Sequence, residues 1–174
     1  MDSYDILKKY VREIHDFPSP GILFRDITTV LKEPEMLHIA INTVADCTRG
    51  LQFDTVLGPE SRGFIFGTPL AYNMKKRFVP VRKAGRLPAE IVKKDYELEY
   101  GTATIEIHKD AISHGQKCII VDDLLATGGT AKAICELIEE LGGIIVGHVY
   151  FIELTELKGR EKLAGYDIRS VLKY

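Results

Sequence analysis

Residues 117–152 constrain the fold of this chain more than any other stretch. KCIIV (117–121) is an apolar run of strand length that leads into two acids, Asp122 and Asp123. A small, glycine-rich turn, LLATGGT (124–130), follows. Beyond it Ile134, Leu137, Ile138 and Leu141 fall at i, i+3, i+4 and i+7, the stripe of an amphipathic helix. Gly142-Gly143 ends that helix, and 144–152 reads as another buried strand. Strands separated by helices indicate an α/β domain with a mainly parallel sheet.

The rest of the chain extends the alternation. Tyr4, Leu7, Val11 and Ile14 recur at helical spacing and predict a first helix that ends before the turn-forming FPSPG (17–21). Residues 22–34 are mixed and read mainly as loop. A second helix opens at Pro34-Glu35, with Leu37, Ile41, Val44, Ala45 and Thr48 as its buried stripe and Gly50 as its end. Residues 54–58 predict a short strand, 63–74 a helix containing Pro69, and 77–82 a strand. Residues 83–95 have no clear period and read as a long mobile loop. Strict alternation over 96–100 and 104–108, with Gly101 between, predicts a hairpin, and 167–172 a final edge strand.

Composition narrows the class. The 174 residues suit one domain spanning 1–174, and 45% hydrophobic content is enough to bury a core. Lys and Arg number 23 against 25 Asp and Glu, a net charge of −2, which speaks against a general nucleic-acid binder. The longest mostly apolar run, 142–152, is shorter than the roughly 18 residues of a membrane span, and MDSYDILKKY lacks a signal-peptide pattern. Three cysteines without short spacing argue against a disulfide framework or a zinc knuckle and fit a reducing cytoplasm. The five histidines form no metal-binding motif.

The chemistry concentrates in 122–130. Open α/β sheets bind ligands beyond the carboxyl ends of their strands. Thr127, Gly128, Gly129 and Thr130 can set several backbone N–H groups around one anion at a helix N-terminus. Asp122 and Asp123 would repel a phosphate, but they can accept hydrogen bonds from sugar hydroxyls or hold a divalent cation. A phosphorylated ribose satisfies both halves. The bland alternative is a plain strand-to-helix turn. Ala131 stands where a P-loop would need lysine, and no GxGxxG occurs.

VDDLLATGGT closely resembles the phosphoribosyl-diphosphate segment of the type I phosphoribosyltransferases, in their adenine-using branch. FPSPGILFRDIT (17–28), LGPESRGFIFGTPLA (57–71), VPVRKAGRLP (79–88) and YELEYGTATIEIHKDAI (96–112) agree with it. Thr29 departs from the family, which often has proline there. The resemblance implies the type I phosphoribosyltransferase fold: a mainly parallel central sheet flanked by helices, a small N-terminal hood region and a mobile loop. It implies transfer of the phosphoribosyl group to adenine, with Mg²⁺ held mainly by substrate and water and no protein metal ligand.

It also implies roles. Ala126, Thr127, Gly128, Gly129 and Thr130 would hold the 5′-phosphate, and Asp122 and Asp123 the ribose hydroxyls. Arg62, Arg82, Lys83 and Arg86 would neutralise the diphosphate, although 82–86 also reads as a solvated basic loop. Glu60-Ser61-Arg62-Gly63 would bring a second helix N-terminus to the site, and family members often have a cis peptide in this loop. Phe24, otherwise a core aromatic, would stack on the base with Leu124 on its other face, and the Arg25 backbone would read its amino edge. Alternation puts Glu97 and Glu99 on one face and does not choose between them; the resemblance chooses Glu99 as acid/base, beside Tyr100. Glu99 and Arg62 are the catalytic candidates. The expected partners are small-molecule substrates and a second copy in a homodimer, with no nucleic acid and no membrane. Two alternatives stay open: the same chemistry on hypoxanthine or guanine, and a ligand-sensing regulator of nucleic acid.

Overall fold

A computed structural model of the chain describes residues 3–97 and 101–174. Its order is α1 (Ser3–Tyr10), β1 (Arg12–His15), β2 (Leu23–Asp26), α2 (Thr28–Leu31), α3 (Pro34–Asp46), β3 (Thr55–Pro59), α4 (Gly63–Asn73), β4 (Arg77–Lys83), β5 (Ile91–Glu97), β6 (Thr102–His108), β7 (Lys117–Leu125), α5 (Gly129–Glu140), β8 (Ile144–Glu153), a 3₁₀ turn (Thr155–Leu157), α6 (Gly159–Lys162) and β9 (Ile168–Lys173).

Seven strands form one sheet in the order β5-β6-β4-β3-β7-β8-β9. The β4/β3, β3/β7, β7/β8 and β8/β9 pairs are parallel. The hairpin β5/β6 joins β4 antiparallel. Side-chain alternation sends Val56, Ile119, Val121, Val149 and Phe151 to one face, where Leu7, Ala40, Val44, Phe66 and Leu70 of α1, α3 and α4 cover them. Leu57, Cys118, Ile120 and Tyr150 point to the other face, under Ile134, Leu137 and Ile138 of α5. Covering both faces explains why the central strands read as continuous apolar runs.

Several expectations are corrected. The first helix stops at Tyr10, and Ile14 lies in β1 opposite Phe24 of β2. Residues 22–34 are not mainly loop: they hold β2 and α2, and between them Asp26 accepts from Thr28 N–H at 2.9 Å and Thr28 Oγ1 at 2.8 Å in a local turn. Among the described residues β1 and β2 pair with each other alone, across the 16–22 loop, a pairing that the helical spacing of Ile14 does not reveal. The α3 stripe centres on Met36, Ala40, Thr43 and Val44, with Leu37, Ile41 and Ala45 half-buried beside it. The long loop shrinks to 84–90, because β4 reaches Lys83 and β5 begins at Ile91. The hairpin is present, though β5 starts before Tyr96; its tip, 98–100, lies outside the described residues. β9 does occupy the sheet edge. None of the described helices is long and apolar enough to cross a membrane.

Candidate active site

The site lies where β3, β4 and β7 end. β7 delivers Asp122 and Asp123, and the chain then turns through 126–128 into α5. Gly128 sits at φ +80°, in the left-handed region that favours glycine. A Cβ there would lie 2.6 Å from the Gly159 carbonyl oxygen. The first-turn N–H groups of α5 have no acceptor within the helix. Together with the helix dipole they make this turn suited to an anion. Leu124, Ala126, Thr127, Gly128, Gly129 and Thr130 line a concave pocket here, with Asp122 on one side and Tyr150 in its wall.

A second pocket adjoins the first and shares Asp122 and Thr130 with it. Glu60, Ser61, Arg62, Arg82, Lys83, Tyr96 and Asp123 complete most of its wall. The Glu60–Ser61 peptide is cis, and Arg62 precedes the first residue of α4. Room for this turn comes from Gly63, where a Cβ would meet Pro59 Cδ at 2.5 Å and Asp122 Oδ1 at 3.0 Å.

Charge is organised in pairs. Arg62 Nε meets buried Asp123 Oδ2 at 2.9 Å. Asp123 N–H donates to Asp122 Oδ1 at 2.8 Å. Burial pushes the Asp122 carboxyl well above the ordinary range, and the neighbouring Asp123 charge adds to this. Burial raises Asp123 as well, against the pull of Arg62. Arg82 Nε meets Glu60 Oε2 at 2.8 Å, and the Arg82 guanidinium holds the Glu60 carboxyl below its usual value. Glu106, 2% exposed, accepts from the N–H groups of Gly85, Arg86 and Leu87 at 3.1, 2.8 and 3.0 Å. Burial opposes its charge, but those three donors hold its carboxyl below the ordinary value.

Thus Arg62, Arg82, Lys83, Asp122, Asp123, Leu124 and 126–130 come together around the two adjoining pockets. Phe24 lies at the margin, its ring 5.9 Å from the Arg62 guanidinium carbon and edge-on to Phe17 at 5.2 Å. The Arg25 side chain turns away, pairing with Glu13 and lying over the Tyr174 ring at 4.0 Å, which leaves only its backbone for a ligand. Arg86 is exposed and outside both linings. Glu99 and Tyr100 lie outside the described residues.

Tyr96, Glu106 and Tyr150 received no role from sequence, whereas 60–63 were expected to bring a helix N-terminus to the site, and Glu60, Ser61 and Arg62 line the second pocket. Glu106 had a signal: a carboxylate between Ile105 and Ile107 in a strand must find donors if it is buried. Among the described residues, no group of three or more His, Cys, Asp or Glu could hold a metal ion. Asp122 and Asp123 offer two carboxylates, one already paired with Arg62, a set that fits a cation held chiefly by substrate oxygens and water.

Residues 26–171 match the phosphoribosyl transferase domain family. The chain belongs to the phosphoribosyltransferase family. It is 59% identical to the adenine phosphoribosyltransferase of Lachnoclostridium phytofermentans, over 97% of this chain and 97% of that protein. The crystal structure of adenine phosphoribosyltransferase from Thermoanaerobacter pseudethanolicus superposes with a TM-score of 0.96 at 53% identity, covering 98% of this chain and 99% of that one. The enzyme from Saccharomyces cerevisiae, complexed with an imino-altritol bisphosphate and adenine, superposes with a TM-score of 0.91 at 39% identity, over 97% and 98% of the two chains. Within the family, the chain's likeness is to the adenine phosphoribosyltransferases.

Proposed function

We propose that this chain, acting as one domain over 1–174, transfers the 5-phosphoribosyl group of phosphoribosyl-diphosphate to adenine, a purine-salvage reaction that gives AMP and diphosphate. The observation that carries it is the pair of adjoining pockets sharing Asp122 and Thr130, one built around the 126–130 turn and the other holding Arg62, Arg82 and Lys83. A ribose with a phosphate at one end and a diphosphate at the other has that polarity.

In this reading Ala126, Thr127, Gly128, Gly129 and Thr130 hold the 5′-phosphate, and Asp122 and Asp123 accept from the ribose hydroxyls. Arg62, Arg82 and Lys83, joined by Arg86 from the 84–90 turn, neutralise the diphosphate. Phe24 and Leu124 sandwich adenine, the Arg25 backbone reads its amino edge, and Tyr100 packs nearby. The bond from C1′ to the diphosphate oxygen breaks, and the bond from C1′ to the adenine ring nitrogen forms. The proton on that nitrogen passes to Glu99. Charge builds at C1′ and on the leaving diphosphate, so fixed cations and N–H groups supply the main stabilisation. Mg²⁺, when bound, neutralises part of the diphosphate charge. The enzyme acts in the cytoplasm as a homodimer, a reading supported by its likeness to the adenine phosphoribosyltransferases.

The test is a competition among adenine, hypoxanthine and guanine with phosphoribosyl-diphosphate and Mg²⁺. AMP should dominate; preference for hypoxanthine would remove the adenine assignment.

A further inference from the structure

The 126–130 turn is held from behind by a segment that lines neither pocket. Gly159, the first residue of α6, packs directly on it: a Cβ at 159 would lie 2.3 Å from the Ala126 carbonyl oxygen and 2.9 Å from Leu125 Cδ1. The contact is reciprocal, since a Cβ at Gly128 would strike the Gly159 carbonyl. Two backbones approach here more closely than any side chain allows, so the path of the turn depends on where α6 sits.

The next residue fixes that place. Arg160 Nε donates to Glu153 Oε1 at 2.5 Å and Nη2 to Glu153 Oε2 at 2.8 Å, a two-pronged pair. Nη1 donates to the Ile168 carbonyl at 2.9 Å, and Nη2 also reaches Ser170 Oγ at 3.2 Å. Ser170 Oγ in turn donates to Glu153. Glu153 is 3% exposed and closes β8 opposite Leu125 of β7, one residue before the turn begins. The guanidinium thus ties α6 to β8 and β9 at the level of the turn. A turn with two glycines has wide conformational freedom when nothing braces it. Ordering it on binding would weaken affinity for whatever it holds.

We propose that Arg160 is a positioning residue: clamped on Glu153, it holds Gly159 against the backbone of 126–128 and so preorganises the turn for the 5′-phosphate. This rests on the assignment of 126–130 to that phosphate, and the probes are chosen to separate the two. Ribose 5-phosphate tests the turn, and diphosphate tests the neighbouring pocket of Arg62, Arg82 and Lys83.

Binding of each probe is measured by calorimetry on the full chain. Arg160→Ala should weaken ribose 5-phosphate about tenfold or more, as expected when a binding group loses its support. Diphosphate affinity should stay within about twofold, because its pocket does not touch α6. In steady state the KM for phosphoribosyl-diphosphate should rise while kcat and the KM for adenine hold. Arg160→Lys, which keeps the charge but not the fork, should fall between the two. If Arg160→Ala does not fold, Arg160→Lys and Glu153→Gln are read by the same split. Ribose 5-phosphate binding at the wild-type level, or equal loss of both probes, overturns the positioning role. Wild-type protein that binds diphosphate but not ribose 5-phosphate overturns the phosphate assignment and the proposal with it.

Discussion

Asp123 faces opposing demands. It is buried, which favours its neutral form, and it pairs with Arg62, which favours the charged one. Asp123→Asn keeps the shape but removes both the charge and a strong acceptor. It should cost about 1.5–3 kcal/mol in kcat/KM for phosphoribosyl-diphosphate; unchanged kinetics would put the ribose elsewhere. Glu99→Gln should lower kcat by about 10²–10⁴ with phosphoribosyl-diphosphate binding mostly intact; normal turnover would remove the acid/base role. His148, directly behind the pocket-lining Tyr150, gives a pH signature in stability. It is fully buried, its Nδ1 is 3.0 Å from the Tyr150 hydroxyl, and burial pushes its imidazole from 6.5 down to about 4. Between those values the unfolded chain binds a proton that the folded chain refuses. Stability is therefore full above about pH 6.5 and falls as the pH drops toward 4, by about 2 kcal/mol at pH 5. Urea unfolding at both pH values should show that loss reduced in His148→Gln; an equal loss in the variant would contradict it. The residues easiest to read from sequence were those in a dense local pattern, Asp122 to Thr130. Gly159 was not legible, nor was the pairing of Glu60 with Arg82, because both depend on neighbours distant in sequence.

At the scale of elements, the 84–90 turn shows the same limit. Without periodicity it reads as a long free loop, yet Glu106 on β6 fastens its first part through three N–H groups. That carboxylate is reached only through β4/β6 pairing, Arg82 opposite Glu106. Glu106→Ala should lower unfolding free energy by about 1–3 kcal/mol and speed tryptic cleavage after Arg86. An unchanged cleavage rate would mean that the turn is held by something else. The βαβ unit of β7, α5 and β8 was legible because its periods are local, down to the Ile134–Leu137–Ile138 stripe. The β1/β2 pair was not, since Ile14 continues a helical spacing and only its pairing with Phe24 reveals the strand.

The whole molecule carries a net charge of −2 yet is expected to bind a polyanion. Locally, Arg62 and Arg82 are balanced by Asp123 and Glu60, so the anion-binding capacity rests on donors that can turn to a ligand rather than on excess charge. Arg62, Arg82 and Lys83 share one pocket, and the neighbouring turn offers N–H groups that add nothing to the net charge. The sheet places both at one end by bringing β3, β4 and β7 side by side. If the proposed homodimer forms, the protein sediments at twice the 19.5 kDa of the chain; the mass of one chain would remove that proposal. The proposed reaction requires that one site join two substrates. Protein, Mg²⁺, phosphoribosyl-diphosphate and adenine are incubated together, and all products are quantified. AMP and diphosphate should form in equal amounts, only when both substrates are present. Diphosphate released with free ribose 5-phosphate and no AMP would contradict it.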